Sequence, residues 1–390
     1  MIINRRKMLG AFAAAIGVAA VPKVGFAKST TTSTLLKTTP MSDGFRMPGE
    51  FENHEAIWLV WPESEEWRYA GKLAEPVIVE MAAAISDDID VRLVASRREA
   101  ARVRRMVPEA VKVVEMYGGT NWVRDDGPTF LINDNGARRG VDWVFNDWGY
   151  PEDYWDNSKM ARRMLEHEEA DRYRAPLVLE GGSIHSDGRG TILTTEECLL
   201  NHNRNPDLSK TQIENYLKSY LGAQKVVWLP RGVFKDSTSG HVDNMACFVG
   251  PSEIILTWTD DQNDPQYERS AEALQVLQSS ADAQGNQFKV HKLHQPGPLY
   301  TTEEEKKTVA SGSGRYEDIE DRMPASYVNY ILTNNRVVYP MLDPETDQDA
   351  ERAFAQAFPG REVVGVPGRE ILLHGGNFHC ISQNLPAITG

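Results

Sequence analysis

Gly375-Gly376-Asn377-Phe378-His379-Cys380-Ile381-Ser382-Gln383 sets a cysteine directly after a small-residue turn, in a chain with only three cysteines. A thiol so placed is a candidate nucleophile, because glycines permit strained turns and close backbone approach. The other two cysteines sit in apolar, strand-like settings, Glu197-Cys198-Leu199-Leu200 and Met245-Ala246-Cys247-Phe248-Val249, and read as buried hydrophobes. Three widely spaced cysteines make no disulfide framework. Three clusters elsewhere could serve Cys380: Trp122-Val123-Arg124-Asp125-Asp126-Gly127, Glu180-Gly181-Gly182 and Gly240-His241-Val242-Asp243-Asn244.

A cysteine nucleophile acts as its thiolate, so it needs an electropositive setting or a cationic substrate, and a partner for protons. His379 is adjacent, but an extended Phe378–Ile381 would turn it to the opposite face from Cys380. His241 is the better candidate, since His241 and Asp243, two apart, would share one face of a strand and set an acid/base group beside a carboxylate. Asp125, Glu180 and Asp243 each stand beside glycine or at a strand end, unlike surface acids on helices. Carboxylates gathered together are costly to bury without a cation, and a planar guanidinium matches them with paired N–H donors. Trp122 adds an aromatic face for a flat cation. Asp126 reads as a solvated turn acid.

The formal net charge of -14 argues against a nucleic-acid surface and suits a cationic ligand. At 390 residues the chain has the length of two or three domains, but nothing from Phe45 onward reads as a linker, so residues 42–390 are expected as one catalytic domain. The start differs. Asn4-Arg5-Arg6-Lys7, an apolar run from Gly10 to Val21 and Gly25-Phe26-Ala27 describe a cleavable signal over residues 1–27, too short for a confident membrane span. Its paired arginines resemble a twin-arginine export signal, which implies the twin-arginine export machinery as a partner and a periplasmic or secreted mature protein. Residues 28–41, rich in Thr and Ser, read as a flexible lead.

Apolar, β-rich runs recur at Ala56–Trp61, Val91–Ala95, Val111–Glu115, Leu177–Leu179, Thr191–Thr194, Val226–Leu229, Ile254–Trp258, Phe288–Leu293, Tyr327–Leu332, Val337–Pro340 and Glu362–Val366. Helices are predicted at Leu73–Ser86, Arg97–Met106, Ser209–Leu221, Asp264–Ala283 and Asp347–Phe358. The alternation is α/β, and strands that pair without an intervening helix fit a doubly wound sheet poorly; they suggest units mixing a hairpin with one helix. No strict sequence repeat is evident. The polar stretch Thr301–Tyr316 reads as a solvated loop.

The motifs together resemble the agmatine deiminases, within the pentein superfamily of guanidine-modifying enzymes that also holds the bacterial peptidyl-arginine deiminases. The resemblance runs from Met47-Pro48-Gly49-Glu50-Phe51-Glu52 through Trp122-Val123-Arg124-Asp125, Glu180-Gly181-Gly182-Ser183-Ile184-His185, Asn203-Arg204-Asn205-Pro206, Gly240-His241-Val242-Asp243-Asn244 and Ala325-Ser326-Tyr327-Val328-Asn329 to the Cys380 segment. It implies a pentein α/β-propeller of five ββαβ blades with pseudo-fivefold symmetry, and deimination of agmatine without metal or organic cofactor. By resemblance Cys380 is the nucleophile, His241 the proton shuttle and Glu180 its orienting partner. Asp125 and Asp243 hold the guanidinium, while Trp122 and Asn377 line the substrate pocket. A homodimer is compatible with this reading.

Ser237 and Ser239 stand where the family carries further acids, and His374 replaces a usual glycine, which bears on recognition of the substrate's far end. A C-terminal peptidyl-arginine is the rival substrate. A metal-dependent hydrolase using His241, Asp243, His374 and His379 lacks a compact ligand motif. A non-catalytic binding protein is weaker still.

Overall fold

The computed structural model describes residues 33–63, 67, 71–116, 119–149, 159–309 and 322–388. The predicted signal 1–27 lies outside these residues, as does the first part of the lead. Residues 33–41, expected as the rest of that lead, carry a two-residue strand, Leu35–Leu36, paired in parallel with Arg172 and Tyr173 of the body.

One local order recurs five times. Two strands meet as an antiparallel pair, a helix follows, and a third strand returns parallel to the second. His54–Val60, the helix Glu75–Ser86 and Asp90–Ala95 form the first unit, extended by Val111–Glu115. The others are Thr129–Ile132, Arg138–Val144, Met160–His167 and Asp171–Val178; then Ile184–Ser186, Thr191–Thr195, Lys210–Leu221 and Lys225–Leu229. Next come Ala246–Gly250, Glu253–Trp258, Pro265–Ser279 and Lys289–His294, and finally Ile331–Leu332, Arg336–Met341, Asp347–Ala357 and Glu362–Pro367. The first unit lacks an antiparallel strand of its own, and the C-terminal strand Ser382–Pro386 supplies it by pairing with His54–Val60. The end of the chain thus closes the set.

Local chemistry explains the repeated order. A parallel return needs a crossover, and each crossover carries a helix. Ser209 and Gln212 form a reciprocal capping box before Lys210–Leu221, which Gly222 ends in left-handed backbone at φ 65°. Asp264 caps the next helix through Gln266 N, with Pro265 in the first turn. Middle strands are covered on both faces, so Ala56, Ile57, Trp58 and Leu59 are all fully buried.

Each unit is entered through a short turn: Val123–Asp126, Gly181–Ser183, Val242–Met245, the stretch 325–329 and the stretch 377–381. These turns bond to one another. Arg124 N donates to Cys380 O at 3.2 Å, Gly182 N to an Asp125 carboxylate oxygen at 3.0 Å, and Asn329 accepts from His379 N at 2.9 Å. Five like units whose entry turns meet at one centre form the α/β-propeller that the resemblance implies, and place five loops' worth of side chains together.

Some expectations change. Tyr327–Leu332 is strand only at Ile331–Leu332, because residues 325–329 form an entry turn. The predicted helix Arg97–Met106 narrows to Ala100–Val103. Of the polar stretch Thr301–Tyr316, Glu303–Val309 is helical rather than a loop, with Glu305 bonded to Arg369, and 310–316 lies outside the described residues. Cys198 lies in a one-turn helix, Glu196–Leu199, rather than a strand.

Candidate active site

Cys380 sits in the turn before the closing strand, 2% exposed, and its setting is built from other units. Asn329, fully buried, donates through Nδ2 to Cys380 Sγ at 3.1 Å, while its Oδ1 accepts from Cys380 N at 3.3 Å. One amide therefore holds both ends of the nucleophile. Cys380 Sγ also donates to Asp243 Oδ2 at 3.5 Å.

His241 occupies the cap of Val242–Met245, which sets Asp243 in the first turn beside it. Its Nδ1 stands 3.7 Å from Asp125 Oδ1 and its Nε2 3.6 Å from Glu180 Oε2. Both separations exceed a hydrogen bond, and neither ring nitrogen has a partner at bonding distance among the described residues. Asp125 is held by Gly182 N on one oxygen and by Trp148 Nε1, at 2.9 Å, on the other. Glu180 is fixed by the buried Arg204, whose Nε donates to Oε1 at 2.7 Å, leaving Oε2 unbonded.

These groups surround a defined point. A Cβ placed on Gly182 would lie 2.6 Å from His241 Nδ1, 2.8 Å from Asp125 Oδ1 and 2.9 Å from Asp243 Oδ2. Only a residue without a side chain leaves that space open. A Cβ on Gly376 would meet Trp122 Cζ3 at 2.5 Å and Cys380 Sγ at 3.1 Å, so Trp122 borders the approach to the sulfur. Trp122 stacks at 5.8 Å on Trp67, which in turn packs 4.4 Å from His374. Asn377, 1% exposed, has both side-chain polar atoms without a bonding partner among the described residues.

Burial and charge set the protonation states. Burial pushes the Cys380 thiol well above its ordinary value, and the Asp243 and Asp125 carboxylates add to this, so the thiol stays protonated until a cation arrives. Burial would lower His241, but Asp125, the Cys198 sulfur and Glu180 outweigh it and hold the ring well above 6.5, as an imidazolium. Burial, with Asp243 and Glu180 nearby, raises Asp125 to about 6 despite His241. Around His241 the carboxylates of Asp125, Glu180 and Asp243 gather more negative charge than one imidazolium offsets, and a guanidinium would relieve it.

The family profile of the Porphyromonas-type peptidyl-arginine deiminases matches residues 46–386. The chain belongs to that family. Among its relatives, a Shewanella baltica protein named provisionally as an agmatine deiminase is 49% identical over 364 residues, covering 91% of this chain and 98% of the relative. A solved structure titled as the agmatine deiminase of Enterococcus faecalis is 41% identical with a TM-score of 0.86, covering 92% of this chain and 100% of that one. A C. jejuni agmatine deiminase with one cysteine replaced by serine, solved with substrate bound, is 25% identical with a TM-score of 0.76, covering 89% of this chain and 97% of that one.

Against this deiminase-family background, the structure brings Cys380, His241, Glu180, Asp125 and Asp243 into one buried cluster, with Trp122 and Asn377 beside the nucleophile's turn. The expected strand under His241 and Asp243 is absent: they share a helical cap and first turn, and the strand begins at Ala246. His379 does not turn away. Residues 378–381 form a turn, and His379 Nδ1 bonds Asp243 Oδ2 at 2.9 Å while Nε2 bonds Glu50 at 3.0 Å. Asp126 is buried rather than solvated, accepting from Thr120 N at 2.6 Å. Sequence reasoning missed Glu50, Asn329, Arg204 and Trp148. Asn329 alone had a readable signal: it precedes the first strand of its unit, as Asp125, Glu180, Asp243 and Cys380 precede theirs.

Proposed function

We infer that this deiminase hydrolyses the guanidinium of agmatine to N-carbamoylputrescine and ammonia through a covalent intermediate on Cys380. The observation that carries the reading is the meeting of His241, Asp125 and Asp243 over Gly182, with the Cys380 sulfur 3.5 Å from the same Asp243 oxygen. The agmatine deiminases of E. faecalis and C. jejuni, and the Shewanella relative, support agmatine as the substrate.

The geometry dictates the steps. As the guanidinium enters, Asp125 and Asp243 take its N–H groups, and its charge favours the thiolate; the thiol proton leaves to solvent, Asp243 being its nearest acceptor. The sulfur bonds to the guanidinium carbon, and one C=N electron pair moves onto nitrogen. Imidazolium His241 protonates a terminal amino group, the C–N bond breaks and ammonia departs, leaving an amidino group on sulfur. Neutral His241 then takes a proton from water as the hydroxide adds to that carbon. Collapse expels the sulfur, which regains a proton from the new hydroxyl, and the carbamoyl product remains. Asn329 Nδ2 stabilises the sulfur whenever it is anionic.

The family name and the twin-arginine-like start favour a second reading, C-terminal peptidyl-arginine, whose carboxylate would need a cation. Two arginines that bond the site's carboxylates are committed: Arg204 to Glu180, Trp148 O and Thr238 O, and Arg124 to Glu50 and Asn384. Agmatine, which has no carboxylate, needs neither. Ammonia release from purified protein with agmatine, free arginine and an arginine-terminated dipeptide tests the choice. The highest kcat/KM belongs to agmatine, and a clear preference for the dipeptide would overturn the substrate while leaving the chemistry intact. Arg5-Arg6 and the apolar run after them support export of the folded protein to the periplasm or beyond. Replacing both arginines by lysine then traps precursor in the cytoplasm; mature protein found there with Met1 intact would refute export.

A further inference from the structure

Two groups of side chains near the centre have the composition of a metal site. Glu50, His185 and His379 offer ligand atoms within 4.8 Å of one another, and so do Glu180, Cys198 and His241. The first group is closed to a metal. His185 Nδ1 accepts from Phe248 N at 3.2 Å, so its proton sits on Nε2 and leaves no lone pair facing Glu50, while His379 is bonded through both nitrogens.

The second group is open. Glu180 Oε2 and His241 Nε2 lie 3.6 Å apart, both enclosed and without a partner at bonding distance among the described residues. A tetrahedral ion with bonds of about 2.0 Å to nitrogen or oxygen and 2.3 Å to sulfur holds its ligands roughly 3.3–3.7 Å apart, so this pair already stands at the right separation. Arg204 Nε bonds only Glu180 Oε1 and thereby aims Oε2 at the ring, the kind of outer contact that orients a metal ligand. Cys198 is fully buried, carried by the one-turn helix that Thr195 caps through Cys198 N. A thiolate with an imidazole and a carboxylate selects zinc over magnesium or calcium.

We propose that Glu180, Cys198 and His241 form an inhibitory Zn2+ site, which when filled takes the proton-transferring histidine out of the reaction. Binding releases the thiol proton of Cys198 and the extra proton of His241, and the carboxylate and thiolate balance the charge of the ion. The nucleophile Cys380 is not a ligand. The site is therefore distinct from one built on the reactive cysteine, and zinc acts here as a brake rather than a cofactor.

Competition with a chromophoric chelator measures zinc binding on Cys380→Ser, which keeps all three ligands. One equivalent binds, and adding Cys198→Ser weakens it by more than about 100-fold, the range that outer contacts alone reach. Cobalt(II) gives a second measurement needing no change at Cys198: a thiolate charge-transfer band persists in Cys380→Ser and in Cys380→Ser/Cys247→Ser. Absence of that band, loss of zinc with Cys380, or equal binding with and without Cys198 would each overturn the site. In the wild type, zinc suppresses ammonia release and EDTA restores it. Binding is read without substrate, so failure of the agmatine assignment would leave this test untouched.

Discussion

His379 and His241 are both enclosed in the same centre, each between two carboxylates, and their surroundings differ in how the ring nitrogens are used. Around His379, Asp243 and Glu50 stand at 2.9 and 3.0 Å, and Arg124 braces Glu50 at 2.7 Å. Around His241, Asp125 and Glu180 stand at 3.7 and 3.6 Å and bond instead to Trp148, Gly182 and Arg204. A ring bonded on both sides fixes its neighbours, whereas a ring held by charge at a distance can take and give protons. The lesson is that composition, two carboxylates and a histidine, does not distinguish an acid/base catalyst from a buried brace; the unspent bonding capacity does.

Exchanging each histidine for alanine breaks the comparison most directly. His241→Ala should lower kcat by about 10²–10⁴-fold, the span of general acid/base catalysis, with the fold retained and no adduct building up on Cys380, because ammonia departure itself needs the His241 proton. Ammonia release gives kcat, and mass spectrometry checks that Cys380 stays unmodified. His379→Ala should instead cost about 3–5 kcal/mol of stability by leaving Glu50 and Asp243 without their shared cation, read from the denaturation midpoint. If His241→Ala unfolds while His379→Ala stays folded and loses turnover, the two roles are reversed.

The second test moves one residue outward, to the amide that touches the nucleophile itself. Asn329→Ala removes a hydrogen bond to sulfur that becomes charge-assisted when the thiolate forms, worth about 1.5–3 kcal/mol. The expected loss is about 10–100-fold in kcat/KM. Because the same change makes the thiol harder to ionise, alkylation of Cys380 by iodoacetamide should require a higher pH in the variant. An unchanged alkylation profile would reduce Asn329 to a structural prop.

Much of this architecture was readable from local chemistry, and the exceptions have physical causes. Lys210–Leu221 was marked by its Ser209 cap and apolar spacing, and Val111–Glu115 by an uninterrupted β-rich run. The hairpin Thr129–Ile132 with Arg138–Val144 escaped notice because its second strand opens on two arginines, whose partners are as distant as Glu55, Asp43 and Tyr173. Ile184–Ser186 and Ile331–Leu332 are too short to show alternation. At the site, Cys380, His241 and the three acids each stand within four residues of a glycine in quotable motifs. Glu50 and Arg204 take their meaning from bonds to His379 and Glu180 in other units, and no local pattern records those. His379 was misjudged because an extended segment was assumed where the chain turns.

A third prediction concerns the histidines that stay neutral. Burial lowers His54 and His185 to about 4, against an ordinary 6.5. Between those values the unfolded chain binds the protons that the folded one refuses, so stability rises with pH across the window and is lost as pH falls from 6.5 toward 4. Each ring contributes up to about 3 kcal/mol at neutral pH. His379, raised by Glu50 and Asp243 against burial and Arg124, has the opposite sign: its contribution is full below 6.5 and fades as pH climbs through its folded value. Denaturant midpoints from pH 4 to 7 should therefore flatten in His185→Gln, and an unchanged slope would show that its burial carries no such cost.

The smallest effect is expected at the substrate's far end, where the resemblance leads us to expect acids and the chain carries Ser237 and Ser239. Ser237 is exposed, while the loop beneath it is anchored by Asp236 to Thr238 and Asn244 and by Thr238 O to Arg204. That anchoring keeps a change at 237 from reaching His241. Ser239 is a poorer choice because its backbone is left-handed at φ 67°, so a substitution would mix strain with charge. Ser237→Glu should add one solvent-screened attraction for the distal amine, about 1 kcal/mol or less, and so lower KM for agmatine by up to about fivefold with kcat unchanged. A guanidine of the same length without the amine should show no gain. Should both substrates improve alike, or kcat move instead of KM, the distal amine does not lie near Ser237, and the missing acids have no part in substrate choice.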